Sequence, residues 1–337
     1  MTFTPANPSA AFSASRTQPT CSVIICAYTD KRWELLCKGY RASVDQLHPG
    51  DEIIVVIDHN RDLYARASAE FSSATVIENA GPTGLSGGRN TGVGAAKGDV
   101  VVFLDDDAWP AERWLESYRS AFSAADVAVV AGSVDPQWDG GAKPSWFPEE
   151  FGWVVGCDYR GLPGDQQPIR NPIGANMAIR RDVVGAVGGF STDVGRVGTT
   201  PAGCEETDLS IRITQAKPDL RKIRVTRARV RHLVPAGRQT WRYFVSRCFH
   251  EGRSKKILAA RVGTDDGLGS ERTYVTRTLT SGFARELLAP LSGKLSGPAR
   301  AAAIATGLVA TATGYLSVRT VVTAGPAERS TARRNDI

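Results

Sequence analysis

The sequence predicts an α/β protein, a mostly parallel sheet flanked by helices, with a helical extension after it. Three observations lead there. Apolar runs rich in Val and Ile, SVIICA (Ser22 to Ala27), EIIVVI (Glu52 to Ile57) and VVVFL (Val100 to Leu104), have the length and β-branching of strands buried on both faces. Helically spaced stretches separate the strands, as in βαβ units. The VVVFL run ends in three carboxylates, Asp105, Asp106 and Asp107, at the end of the strand where open α/β sheets bind ligands.

The remaining elements follow in order. Lys31 to Leu47 carries Trp33, Leu36, Cys37, Tyr40, Val44 and Leu47 at helical spacing, and Pro49-Gly50 breaks it. Leu63 to Phe71 reads as a second helix and Ala74 to Glu78 as a short strand. In the glycine-rich stretch that follows, Gly87-Gly88-Arg89-Asn90 opens a helix over Thr91 to Ala96. It matches neither the dinucleotide-binding nor the P-loop pattern. It is either an anion site at a helix start or a connector. Trp114 to Phe122 is helical, Val127 to Ala131 a strand, and Asp135 to Gln167 a loop centred on WDGGAKPSWFPEEFGW, whose rings either face a substrate or cap the core. Ile173 to Arg180 is a strand, Val183 to Phe190 a short helix, and Ile223 to Val230 a further strand. Three helices are expected beyond it, over Trp241 to Val262, Tyr274 to Leu288 and Ala301 to Val318. The last is uncharged but mostly Ala, Thr and Gly, marginal as a membrane span.

The organisation expected is a disordered lead-in (1–20), a catalytic domain (21–235), a helical extension (236–324) and a polar tail (325–337). The N-terminus has neither the basic nor the apolar region of a signal peptide. Six scattered cysteines, none in C-x-x-C, read as free thiols. The net charge is +6, and Arg212 to Arg261 holds fifteen Lys or Arg against two acids. That block suits phosphate-bearing ligands or an anionic membrane surface, and equally a solvated face. No nucleic-acid-reading motif accompanies it, so nucleic acid is not an expected partner.

Three acids at a strand end repel one another, and a bound divalent cation relieves this. A second acidic cluster, Glu205, Glu206 and Asp208, opens a helix. Acids there are favoured by the helix dipole alone. Together the two clusters offer a metal site and a general base. His232 ends a strand and is a candidate metal ligand.

The order of these pieces resembles a family-2 glycosyltransferase with the GT-A (nucleotide-diphospho-sugar transferase) fold over roughly Cys21 to Val234. The likeness rests on SVIICAYT, EIIVVID, NAGPTGLSGGRNTG, FLDDDAWP, GANMAIRRDVVGAVGGF and CEETDLSIR. Ala27, Thr29, Gly88, Cys204 and Glu206 stand where the family has proline, asparagine, alanine, glycine and aspartate. The resemblance implies that Tyr28, Asp58 and Arg89 contact the donor base and that Asp105 touches the ribose. It implies that Asp107, with Asp105 and His232, holds Mg²⁺ or Mn²⁺. Glu206 falls at the catalytic base, with Asp208 as the fallback; Asp106, on the donor side, is undecided. The nearest likeness is to actinobacterial members that build cell-envelope glycans. It implies a nucleotide sugar as donor, a glycan or polyprenyl-linked acceptor, and a place on the cytoplasmic side of the cell membrane, peripheral or with one marginal C-terminal segment. Two rival readings of the residues are a haloacid-dehalogenase-like phosphohydrolase using the DDD run and a non-catalytic glycan-binding module.

Overall fold

The computed structural model describes residues 18–192, 204–263 and 271–318. One eight-stranded sheet runs in the order β3-β2-β1-β4-β7-β6-β8-β5. Strands β1 (Cys21–Ala27), β2 (Glu52–Ile57), β3 (Ala74–Glu78) and β4 (Val100–Asp105) pair in parallel. β7 (Asn176–Arg180) runs antiparallel between β4 and β6 (Val127–Trp138). β6 pairs in parallel with β8 (Arg221–Val234), and β5 (Ala108–Pro110) pairs antiparallel with the far end of β8. The sheet is mostly parallel, as expected, with antiparallel pairings at β7 and β5, and β5 is a strand too short for sequence patterning to reveal.

Alternate residues of the central strands enter two cores. Val23, Ile25, Val55 and Val102 pack under α1 (Trp33–Val44) and α4 (Trp114–Phe122) with Leu36, Trp114 and Tyr118. Ile24, Ile54, Val101 and Phe103 pack on the other face with Met177 and with Leu209 and Ile213 of α6 (Glu205–Ala216). Each such aliphatic side chain contributes roughly 1.5–3 kcal/mol by leaving water. Two shorter helices, α2 (Arg61–Glu70) and α5 (Arg181–Ala186), lie between strands. The glycine stretch forms α3 (Leu85–Ala95), which starts six residues before the expected Thr91. A Cβ at Gly87 would sit 1.9 Å from Pro82 O, and one at Gly92 would sit 2.5 Å from Ile24 Cγ2, so the glycines let this helix lie tight on β1.

The extension comprises α7 (Trp241–Val262), a π-helical turn (Tyr274–Leu279) running into α8 (Thr280–Leu288), and α9 (Gly297–Ser317). α9 packs along α7 through small residues: Cβ atoms at Gly252 and Gly314 would lie 1.9 Å from Thr311 O and Phe249 O. Of the readings open for Ala301 to Val318, a span or a helix packed on the protein or lying at the interface, the packed helix is the one seen. Among the described residues no helix is long and apolar enough to cross a membrane. Most of the lead-in and all of the 325–337 tail lie outside the described residues.

Candidate active site

The register of the sheet builds the site. After β4 the chain turns sharply, and β5 places Ala108 opposite His232 of β8. Leu233 N donates to Asp107 O at 2.9 Å and clamps that turn. The side chains follow: His232 Nε2 lies 3.0 Å from Asp107 Oδ1. One ligand atom each from Asp105, Asp107 and His232 falls within 4.8 Å of the others. Two carboxylates and an imidazole fit Mn²⁺ or Mg²⁺, with diphosphate oxygens left to complete the shell. His232 Nδ1 lies 3.6 Å from Cys157 Sγ, a contact that fixes the ring's orientation.

The charges around this trio are uneven. Burial raises the pKa of Asp107, but His232, Arg32 and Arg238 outweigh it and hold the carboxyl well below the usual range. Arg32 Nη1 lies 3.2 Å from Asp107 Oδ2, and Arg238 Nη2 lies 3.9 Å from it. Burial opposes protonation of His232, yet Asp107 and Cys157 raise its pKa well above the ordinary value. Burial and the neighbouring Asp107 push Asp106 up to about 7 against the pull of Arg32.

A cavity of about 750 Å³ opens beside the trio, lined by Arg89, Asp105, Glu205, Glu206, His232 and Arg238 among others. Arg89, on α3, is 2% exposed. Its Nη2 donates to Gly174 O at 3.0 Å and reaches Asp105 Oδ1 at 3.4 Å, while Nη1 reaches Glu205 Oε1 at 3.3 Å. One guanidinium thus bridges the two acidic clusters. Glu206 sits in the first turn of α6, after Cys204 in left-handed backbone (φ 82°). Glu206 Oε2 is buried without a hydrogen-bond partner among the described residues. Burial, then the charge of Glu205, raise its pKa to about 8 despite Arg89.

Other expected residues fall elsewhere. Asp208, the fallback base, is 1% exposed, accepts from Arg212 Nε at 2.8 Å and is not among the residues that line the cavity. Asp106, left undecided on the donor side, forms a buried pair with Arg32 at 2.6 Å. Tyr28 and Asp58 lie where β1 and β2 end, outside the main cavity. Tyr28 is 46% exposed. Asp58 accepts from Asn79 Nδ2 at 2.6 Å and Gly84 N at 2.8 Å and so braces the glycine stretch. Sequence reasoning missed Arg32, Cys157 and Arg238. Arg238 follows the β8 histidine by one short turn, and that proximity was the available signal.

The far wall of the cavity belongs to the extension. Arg247, Glu251, Lys255, Glu271 and Arg170 alternate in charge, with Arg247 2.8 Å and Lys255 3.3 Å from Glu251. Much of the basic block is therefore paired inward; Arg224, for instance, binds Asp158 at 2.5 Å. The lining also includes apolar groups, among them Phe151, Val275, Leu279 and Leu308. Phe147 and Phe151 of the aromatic loop are 1% exposed, so these rings mainly cap the core, although Phe151 and Trp153 also face the cavity.

A sheet of this order, with a strand-end acid pair and histidine facing an acid at a helix start, defines a nucleotide-sugar transferase of the GT-A class. Residues 22–188 match the family model described as glycosyl transferase family 2. A relative in Haloferax volcanii, a glucosyl-dolichyl phosphate glucuronosyltransferase, is 33% identical over 241 residues, covering 70% of this chain and 76% of its own. The chain belongs to glycosyl transferase family 2 and is a glycosyltransferase. Two solved structures share its fold. One is a mannosyltransferase from Pyrobaculum calidifontis in complex with GDP-Man and Mn²⁺ (TM-score 0.55, 19% identity, covering 90% of this chain and 88% of that one). The other is GalNAc-T7 with UDP, GalNAc and Mn²⁺ (TM-score 0.50, 16% identity, covering 73% and 51%). The phosphohydrolase reading falls with the family match: the DDD run stands on the fourth strand, and Asp107 is committed to Arg32 and His232.

Proposed function

We propose that this transferase moves a sugar from a nucleotide-diphosphate donor to a hydroxyl of a lipid-linked acceptor, inverting the anomeric centre in one displacement. Asp105, Asp107 and His232 would hold Mn²⁺ or Mg²⁺, which neutralises the departing diphosphate when bound. Arg238, whose nearest carboxylate is 3.9 Å away, lines the same cavity and is placed to take phosphate charge. Tyr28, Asp58 and Arg89 serve the donor side. Glu206 receives the acceptor proton, and a base with a pKa near the working pH transfers it best. The observation that carries this reading is the unpartnered Glu206 oxygen on the wall of a cavity that also holds Asp105 and His232.

The Haloferax relative, named for a dolichyl phosphate-linked substrate, supports a polyprenyl-linked acceptor. So does a cavity lined by both charged and apolar side chains. The motif order supports a role in cell-envelope glycan assembly of the actinobacterial kind, at the cytoplasmic face of the membrane. The test is a panel of nucleotide sugars with Mn²⁺ and a short polyprenyl-phosphate-linked acceptor, scored for glycolipid product. Tight donor binding without turnover across the panel refutes it in favour of a binding module.

A further inference from the structure

Five large apolar side chains stand in water on one short stretch of the extension. Phe283 is 39% exposed, Leu287 55%, Leu288 60%, Leu291 87% and Leu295 84%. They follow one another along α8 and the turn after it, a 3₁₀ turn over Ala289–Ser292 closed at Gly293 in left-handed backbone (φ 79°). Leu291 and Leu295 project almost wholly into water, and an exposed apolar patch on a protein surface marks an interaction site. The charges beside it have one sign. Residues 272–300 contain five Lys or Arg and a single acid, Glu286, which is buried between Arg285 and Arg300. A second cavity, of about 590 Å³, lies against Leu288, Ala289 and Ser292. Lys143, Arg160, Arg285, Lys294 and Arg300 line it with two acids, Glu149 and Glu286, and Lys294 has no ion-pair partner among the described residues.

We propose that this leucine tip and its basic cleft dock the enzyme on an anionic lipid bilayer. The leucines enter the boundary between headgroups and acyl chains, and the cleft cations take lipid phosphates. Projecting leucines ringed by cations suit that boundary. A stable dimer needs an extended, complementary face of roughly 800 Å² per partner, which a single turn does not offer. The inference deepens the membrane-side reading above and rests on it. It moves the contact away from the Arg212 to Arg261 block, of which Arg247 and Lys255 point into the catalytic cavity. The same π-turn and α8 segment that carries the tip puts Leu279 on the cavity wall, so docking would bring that wall to the bilayer that holds a lipid-linked acceptor.

The experiment is co-sedimentation of the full chain with vesicles of phosphatidylcholine alone or with added phosphatidylglycerol. The wild type should pellet with the anionic vesicles and less so at high salt. L291D/L295D and, separately, K294E should each lower the bound fraction roughly tenfold at low salt. Both variants should keep the wild-type melting temperature and the wild-type rate of donor hydrolysis without acceptor. Wild-type protein that ignores anionic vesicles, or L291D/L295D that still pellets with them, overturns the proposal. So does a dimer in light scattering that L291D/L295D dissociates while vesicle binding is unchanged. Vesicle binding needs no turnover, so failure of docking and failure of the transferase reading are read separately.

Discussion

Glu206→Gln should do two opposite things, and both magnitudes follow from the site. The change is nearly isosteric and removes the only proton acceptor that Glu206 offers. Loss of a general base costs about 10²- to 10⁴-fold in turnover, with donor affinity kept. Stability should move the other way. The folded-state pKa of Glu206 is raised from 4.5 to about 8. Between those values the native state binds the extra proton, so stability falls as pH rises through that window and levels off above about 8. At one pKa unit per 1.36 kcal/mol, the loss reaches about 3 kcal/mol by pH 7, about 4 kcal/mol at pH 8 and about 5 kcal/mol above it. Glutamine has no proton to lose, so the variant should be up to about 3 kcal/mol more stable at pH 7, or about 4 °C in melting temperature for a chain of this length. The assays are initial-rate kinetics and thermal melts of both proteins from pH 5 to 9. In the wild type kcat/KM should rise with a midpoint near pH 8, since that parameter reports the free enzyme. A Gln variant with turnover within a few fold of wild type refutes the base assignment. Parallel stability-versus-pH curves for the two proteins refute the burial argument.

Three further outcomes follow. Asp107→Asn should lower metal-dependent turnover by about 10²- to 10⁴-fold and abolish the thermal shift given by Mn²⁺ with nucleotide diphosphate; undiminished activity in excess EDTA contradicts it. Asp208→Asn should cost about 3 kcal/mol in denaturant melts by leaving Arg212 short of its partner, with turnover of the folded fraction unchanged; loss of turnover at full stability returns Asp208 to the chemistry. Cys204→Gly should melt within about 1 kcal/mol of the wild type, because relief of the left-handed backbone offsets the lost thiol packing; a loss of several kcal/mol shows that the Cys204 Sγ contact to Glu251 dominates there.

What the sequence revealed and what it hid divide along physical lines. The buried strands were legible because β-branched runs such as EIIVVI have few other uses, and DDD after one of them pointed to the candidate metal site. The family motifs carried the rest of the donor edge. Hidden were features that arise only from pairing. Ala108–Pro110 becomes a strand because β8 is long enough to receive it, and no periodicity shows in three residues. Asp106 and Asp107 are chemically alike in sequence; the turn into β5 sends one to Arg32 and the other to His232. Asp208 stood as the fallback base because it lies two residues from Glu206 in the same motif, and in the fold it pairs with Arg212. The basic block looked like a surface because sequence does not show that the face of α7 carrying Arg247, Glu251 and Lys255 lines a cavity.

Arg89 explains why the site tolerates its acids and why one of them is left poised. Asp105 and Glu205 approach from a strand end and a helix start, and each shares the buried guanidinium at 3.3–3.4 Å. The remaining strong contact of that guanidinium goes to Gly174 O at 3.0 Å. The guanidinium makes no hydrogen bond to Glu206 among the described residues, and Glu206 is buried beside a charged neighbour with an oxygen unpartnered among them. A carboxyl in that position holds its proton to higher pH than an exposed one. Were Arg89 to pair with Glu206 instead, the carboxylate would be stabilised and would lose basicity at the pH where a hydroxyl must be relieved of its proton. The pairing pattern that looks incomplete at Glu206 is thus the one a base requires.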